Sequence, residues 1–556
     1  MEGAQPMHFK TRSLWVSPGG YATKRATDEL LDKCKRAKIN LILPNVFYDQ
    51  TAHFKSTHYR GKVVANGDFD PLAYLLKKAH AVQIGVQAWF CVYNEGRRPS
   101  SNPDWLGLSF DGKPFEQHFV SPANPSVNPY LFAVMKELLA YDIDGIHLDY
   151  IRYPCTAFDY SLVARTRFKA ISGFDPQNFL DHVDQIIPPE QEAFPIRVLH
   201  ATSHLDRIWE TTAIERTLDE ARIGFSFLSE TPENIAALRA PGLLILSHYN
   251  QPTDVMIEAI RNYAGRGGSI LWADPPTTAL KDSEPLAKLI GARAGKARGA
   301  GRFVLHPAGE SKMGEGLTNV FYSAGHIAWQ VDGASVIANS ETGEPAIILN
   351  RVGKGSVIAF GFDAMEDKAG RTAPIVNTIV TSLKAESGVA GPDLLESKRA
   401  EWIRWRDDQV TQLVREVSAA VKAKNSRLVV TSSGGPGEWE FYGCYRNARR
   451  WLMEGVNDYV FPMNYTPVPA EFDDLLRAQA DAAPLGKLGL IFPGIQLYHS
   501  QTVNGKRVTQ PIDAAIINQE LAIVQEQGYQ GFCLFAENYL TDEIVEAVRH
   551  FGAQGK

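Results

Sequence analysis

The 556-residue chain lacks any apolar run of the roughly 18 to 20 residues that a bilayer span requires. It also lacks a dense basic run: Lys plus Arg number 57 against 63 Asp plus Glu, a net charge of -6. That balance excludes a surface built to track a phosphate backbone, so nucleic acid is not an expected partner. The five cysteines, Cys34, Cys91, Cys155, Cys444 and Cys533, are scattered, odd in number and never in a C-x-x-C pair. Neither a disulfide framework nor a zinc site is signalled, and they read as buried thiols. The opening Met1-Glu2-Gly3-Ala4-Gln5-Pro6 lacks the basic-then-apolar form of a secretory leader. The chain as given is expected to be soluble, periplasmic or secreted if a leader has been removed and cytoplasmic otherwise.

What is present is an ordinary folding composition, 44% hydrophobic and 22% charged. The length allows about two to four domains, or one large barrel with an addition. The 10 Trp, 20 Tyr and 27 Phe must be largely core, although sugar-binding clefts also use exposed rings to cover pyranose faces.

Patterning along the chain alternates between strand and helix. Arg12 to Pro18 reads as a strand, Thr27 to Ala37 as a helix capped by Thr27 or Asp28, and Ile39 to Val46 as a second strand. Asp70 to Val82 is helical by its apolar spacing, Gly85 to Val92 a near-continuous apolar strand, Pro129 to Ala140 a helix and Asp144 to Tyr150 a fourth strand. Strands apolar on both faces and separated by helices mean a parallel sheet wrapped by helices. After a helix around Ser161 to Ile171, a second α/β unit starts near Pro195, with strands at Arg197 to Ala201, Ile223 to Leu228, Gly242 to Ser247 and Ser269 to Ala273. From Gly301 to Phe362 the pattern is mostly β and reads as a domain of its own. The βα pattern resumes with a long helix, Lys398 to Ala423. Strands follow at Leu428 to Thr431, Tyr459 to Met463, Gly489 to Pro493 and Gly531 to Phe535, then a closing helix, Thr541 to Phe551. Four strands before the insert and four after it make the eight that close a TIM barrel. The expected fold class is α/β: a (β/α)8 TIM barrel, residues 8–194 and 391–556, interrupted after its fourth strand by an inserted α/β flavodoxin-like domain, residues 195–390.

Particular segments carry a family resemblance. They are Asp70-Pro71-Leu72-Ala73-Tyr74, Gln87-Ala88-Trp89-Phe90, Ser121-Pro122-Ala123-Asn124-Pro125, the segment Asp144 to Pro154 (DGIHLDYIRYP), and Asp458-Tyr459-Val460-Phe461-Pro462-Met463-Asn464-Tyr465. In these the chain resembles the family-10-like glycosyl hydrolases, the bacterial glycosylhydrolase-like barrel group, over residues of roughly 10 to 180 and 395 to 556. The resemblance implies a TIM-barrel enzyme acting on carbohydrate. The insert looks like the glutamine-amidotransferase-like or trimerisation-type domain of some barrel glycosidases, judged by Gly267 to Trp272 and Gly353 to Asp363. The positions after its strands, Ser247-His248-Tyr249 and Ala273-Asp274, carry no Cys with a His partner, so no amidotransferase activity is expected. Packing, or assembly of a homo-oligomer, is the expected role.

Hydrolysing a glycosidic bond takes one carboxyl group to protonate the leaving oxygen and another to attack or to activate water, about 5 Å or 6.5–9.5 Å apart. Alternation along Gly145 to Tyr150 puts His147 and Asp149 on one side of the fourth strand, facing inward at the top of the barrel. Asp149 is therefore the first candidate, against the alternative that it merely pairs with Arg152 or caps its loop. Its partner is sought in Glu537, directly after the eighth strand, then in Glu438, or in Glu440, after the fifth. Asp144 and Asp458 precede their strands and belong to the bottom of the barrel, where charges serve stability.

The same geometry nominates Trp15, Asn45, Tyr48, Trp89, Asn94, His147, Arg152, Tyr153, Asn464, Tyr465, Gln496 and Tyr498 as substrate contacts, with rings for sugar faces and amides or the guanidinium for hydroxyls or a carboxylate. His147 reads equally well as a hydrogen-bond partner of Asp149. No third ligand stands at fixed spacing from His147, Asp149 and His118, so neither metal nor cofactor is expected. The leading reading is a glycoside hydrolase of an oligo- or polysaccharide. The alternatives are a lyase or transglycosylase in the same cleft, or a non-catalytic carbohydrate-binding barrel.

Overall fold

In a computed structural model, the protein is described over residues 10–551, apart from 66–68, 99, 181–186, 201–207, 248, 250, 275–282, 310–311, 366 and 504–505. The opening residues 1–6 and His248, weighed above, lie outside the described residues. The chain divides into two compact units. One takes the residues up to Pro154, Phe158–Ala164 and the residues from Arg406 onward; the other takes Cys155–Ala157 and Arg165–Trp405.

The first unit is an eight-stranded parallel barrel. Its strands are β1 (Thr11–Val16), β2 (Leu41–Tyr48), β3 (Gly85–Cys91), β4 (Gly145–Asp149), β5 (Val429–Ser433), β6 (Tyr459–Phe461), β7 (Gly494–Gln496) and β8 (Gly531–Phe535). They pair in the order β6-β5-β4-β3-β2-β1-β8-β7. Single parallel bridges, Val460 with Ile491 and Met463 with Gly494, close the ring between β6 and β7. Inward-facing Trp15, Leu43, Trp89, Phe461, Phe492 and Cys533 fill the interior as one buried cluster, as the packed layers of such barrels require.

Local chemistry explains where the elements depart from expectation. The first helix is Lys24–Arg36, and its cap is Thr23, whose side chain accepts from the Ala26 amide. Thr27 is buried within the helix, so the cap expected at Thr27 or Asp28 is corrected. The second helix keeps its cap, Asp70 accepting from the Ala73 amide at 3.0 Å. The seventh strand is shifted. Leu488–Leu490 forms a 3₁₀ turn and the strand is Gly494–Gln496, so Gln496 lies on the strand rather than after it.

The second unit holds a nine-stranded sheet. Its parallel strands run Ser226–Ser229, Ile196–His200, Leu243–Leu246, Ser269–Trp272 and Gly355–Phe360. By position in the chain this is the order 2-1-3-4-5 of flavodoxin-like doubly wound sheets. Gly355–Phe360 also pairs antiparallel with Pro345–Val352, which continues through Ser335–Ser340 and Gly301–Pro307 to Asn319–Ser323. The β-rich stretch Gly301 to Phe362 therefore extends the same sheet instead of forming a domain of its own. Both faces of the central strands are covered: Ile245, Leu271, Ile358 and Phe360 pack on one side, Leu244, Ile270, Trp272 and Val357 on the other.

Candidate active site

The strand register builds the site layer by layer. β3 and β4 pair Trp89 with His147 and Cys91 with Asp149, and β4 and β5 pair His147 with Thr431. His147 belongs to an inner layer, and Asp149, two residues on, to the layer at the mouth. A cavity of about 460 Å³ opens there. Its lining is Trp15, Ser17, Pro18, Asn45, Tyr48, Trp89, Cys91, Asp149, Tyr150, Arg152, Ser433, Met463, Tyr465, Tyr498 and Phe535.

Asp149 is buried at the floor and accepts three hydrogen bonds. Ser433 Oγ donates to Oδ1 at 2.5 Å, the Tyr150 amide to Oδ1 at 2.7 Å and Trp89 Nε1 to Oδ2 at 3.0 Å. Tyr150 has a left-handed backbone (φ 47°), an uncommon conformation for a bulky residue. Three donors thus converge on both oxygens, so Asp149 serves as an acceptor throughout. The aromatic wall is built largely by Tyr465, which lies parallel to Phe535 at 5.0 Å, and by Trp15, which meets Phe535 edge-on at 5.8 Å. Burial raises the Tyr48, Tyr150 and Tyr465 phenols above their ordinary value and raises the Cys91 thiol strongly, so all four keep their protons at neutral pH.

His147 lies one layer too deep to touch a ligand in this cavity. It is fully buried: Trp15 Nε1 donates to its Nε2 at 3.1 Å, and its Nδ1 meets Thr431 Oγ1 at 3.0 Å. Thr431 donates onward to Gln87 Oε1 at 2.7 Å. With Nε2 accepting, the ring carries its proton on Nδ1. Burial pulls its pKa down to about 4, only partly countered by Asp149, so the ring is neutral. His147, nominated as a substrate contact, is placed outside the cavity lining, where it supports the Trp15 wall from below.

The other nominated residues divide. Trp15, Asn45, Tyr48, Trp89, Arg152, Tyr465 and Tyr498 line the cavity with Asp149. Asn94 instead lines a separate small recess with Glu95, and its amide is held by Gln117 and the Gly96 amide. Tyr153 is buried edge-on to Tyr445, Asn464 is buried outside the lining, and Gln496 donates to the Tyr498 carbonyl.

The partner acids are placed elsewhere too. Glu438 is exposed on the first turn of the helix Glu438–Cys444, and Glu440 is buried against Arg446. Glu537 opens a 3₁₀ turn, Glu537–Tyr539, and accepts from the Ser17 amide at 2.8 Å and the Ser17 hydroxyl at 2.5 Å. Its burial raises its pKa. Among the described lining residues Asp149 is the one acid.

Ser17, Pro18, Cys91, Tyr150, Ser433, Met463 and Phe535 line the cavity without having been nominated. Alternation carried a usable signal for Cys91, two residues beyond Trp89. Ser433 followed only from the pairing of β5 with β4. Among the described residues no cluster of three or more His, Cys, Asp or Glu is placed to hold a metal ion, and no helix is long and apolar enough to cross a membrane.

The family profile described as "Glycosyl hydrolase-like 10" matches residues 10–183 and 369–497, more than half of the chain. Glycosyl hydrolase YngK of Bacillus subtilis is 24% identical over 162 residues, 25% of this chain and 31% of that protein. Glycosyl hydrolase DigH of Escherichia coli K12 is 26% identical over 153 residues, 23% of this chain and 34% of that protein. The chain thus aligns with about a third of the length of these relatives. The glycoside hydrolase domain of PgaB (BpsB) from Bordetella bronchiseptica superposes with a TM-score of 0.45 at 11% identity, covering 97% of this chain and 98% of that one.

Proposed function

The chain belongs to the glycosyl hydrolase-like 10 family, and from that premise we propose that it hydrolyses glycosidic bonds of an oligo- or polysaccharide at the mouth of its barrel, with Asp149 as the reacting carboxylate. The observation that carries this reading is Asp149 itself: a carboxylate oriented by three donors on the floor of an aromatic cavity. An acceptor-only carboxylate suits attack on the anomeric carbon, or deprotonation of the attacking water. The ring faces of Tyr465, Trp15 and Tyr498 would cover the apolar faces of a pyranose. Asn45, whose Oδ1 has no hydrogen-bond partner among the described residues, would take a sugar hydroxyl. Glu537, gripping the wall residue Ser17, fits a supporting role better than that of second carboxylate. The residues 195–390 take no part in the chemistry in this reading and serve packing or oligomerisation.

One observation favours a second reading. The described lining holds a single acid, Asp149, and a cation, Arg152. A lyase needs one base and a positive group at the carboxylate of a uronic acid, which is that complement.

The test is a panel of neutral, amino and acidic polysaccharides, assayed for new reducing ends and for near-ultraviolet absorption, with Asp149→Asn as control. Reducing ends without absorption mark the hydrolase, and absorbing unsaturated ends mark the lyase. Glycan binding with no turnover on any member, and none lost in Asp149→Asn, would leave a binding protein.

A further inference from the structure

Past Ser433, which lines the cavity, β5 runs into the loop Gly434-Gly435-Pro436-Gly437, which lies outside the lining. This loop is shaped around a buried ion pair, Arg446 with Glu440. Gly434 has φ 98°, and a side chain there would run into the Arg446 guanidinium; one at Gly435 would run into the Gln479 amide. The Glu440 carboxylate is fully occupied by Arg446, the Gly435 amide at 2.8 Å and Gln479 Nε2 at 3.1 Å. The other arm of the guanidinium, Nη1, reaches Ser433 Oγ at 3.5 Å, and Ser433 is the residue that donates to Asp149.

The side chains that respond to the Asp149 charge are Tyr48, Cys91, Tyr150 and Tyr465 of the cavity lining, with His147 below it and Arg446 outside it. Burial keeps the phenols and the thiol protonated and the imidazole neutral. Burial works against the Arg446 charge, but Glu440, Cys444 and Asp149 together more than offset it and hold the guanidinium above its ordinary value. Arg446 is therefore the cation of the set. Arg152, the other cation at the cavity, spends its Nη1 on the carbonyls of Tyr153 and Pro154 and stacks on Tyr150.

We propose that Arg446 is a positioning residue: locked by Glu440, its guanidinium fixes the Ser433 hydroxyl as a donor to Asp149 and holds that carboxylate in its ionised, accepting form. A donor at Ser433 Oγ leaves the hydroxyl proton to point at the carboxylate. A permanent buried cation behind it opposes proton uptake by Asp149. This deepens the reading of Asp149 as the reacting carboxylate and rests on it for its catalytic meaning. It makes Asp149 a base or nucleophile and assigns protonation of the leaving oxygen to another group.

The test follows the Asp149 carboxyl directly, without substrate, so that it stands apart from the choice between hydrolase, lyase and binding protein. The full chain is labelled with [4-13C]aspartate, the Asp149 resonance is assigned by its loss in Asp149→Asn, and its titration is followed by NMR. Variants are Ser433→Ala, Arg446→Lys, and the double variant Arg446→Met with Glu440→Gln, which leaves no lone buried charge. The midpoint is expected to rise by about one pH unit in Ser433→Ala and in the double variant, the usual effect of losing one charge or one charge-assisted bond. Arg446→Lys, which keeps the charge, should stay near wild type. An unmoved midpoint in Ser433→Ala, a truncation small enough to fold, overturns the proposal even where the double variant is unstable. Equal shifts in Arg446→Lys and the double variant overturn the charge argument.

Discussion

Glu537 turns its carboxylate onto Ser17, taking both the amide and the hydroxyl of that residue, so an acid that directly follows a barrel strand is spent on holding a loop. Gly20 shows how close this loop is: a side chain there would stand 2.8 Å from Glu537 Oε1. The pair fixes Ser17 and Pro18, which form part of the cavity wall.

Glu537→Ala should therefore cost stability, by about 1 to 3 kcal/mol for the unsatisfied Ser17 donors, seen as a lowered thermal midpoint. Glu537→Gln should keep turnover within about tenfold of wild type, because the amide oxygen still accepts one bond. Complete loss of turnover in Glu537→Gln at an unchanged thermal midpoint would return Glu537 to the role of second carboxylate.

Asp149→Asn should lower turnover by at least about a hundredfold, the range for losing a positioned acid–base group. Glycan affinity should change little and the thermal midpoint only modestly, since the Asn oxygen can still accept from Ser433 and the Tyr150 amide and only the bond from Trp89 Nε1 is lost. Isothermal titration beside steady-state rates checks both halves.

His147 gives a pH signature of folding. Burial holds its folded-state pKa at about 4, below the ordinary imidazole value of 6.5. The unfolded chain thus binds more protons between these values, and stability falls as the pH drops through this window. The contribution is at most about 3 kcal/mol. Chemical unfolding at pH 7 and pH 4.5 should show a shallower acid loss in His147→Gln than in wild type, whatever the variant's stability at pH 7.

Glu520 acts in the opposite direction. It is buried on the helix Ala514–Glu526 with neither carboxyl oxygen bonded among the described residues, and burial raises its pKa to about 9. The folded state keeps its proton where the unfolded chain has lost it. The stability is therefore whole below about pH 4.5 and is lost as the pH climbs toward 9, by an amount on the order of a few kcal/mol. Glu520→Gln should flatten this alkaline decline; a parallel decline in both proteins would assign it to other groups.

The barrel was legible because its signals are local. Apolar strands such as Gly85–Cys91 and caps such as Asp70 lie in short windows, and the count of eight follows from them. The edges were less so: β7 moved to Gly494–Gln496 because Leu488–Leu490 tightens into a 3₁₀ turn, which apolar content does not distinguish from a strand.

At the site, alternation with a period of two was enough to turn Asp149 toward the interior near the end of β4, because it sets a side chain's face from its neighbours. The layer of His147, the grip of Glu537 on Ser17 and the approach of Arg446 to Ser433 came from the packing of distant segments. Those are distances between segments up to 520 residues apart, set by strand register and by the paths of loops, and no local pattern encodes them.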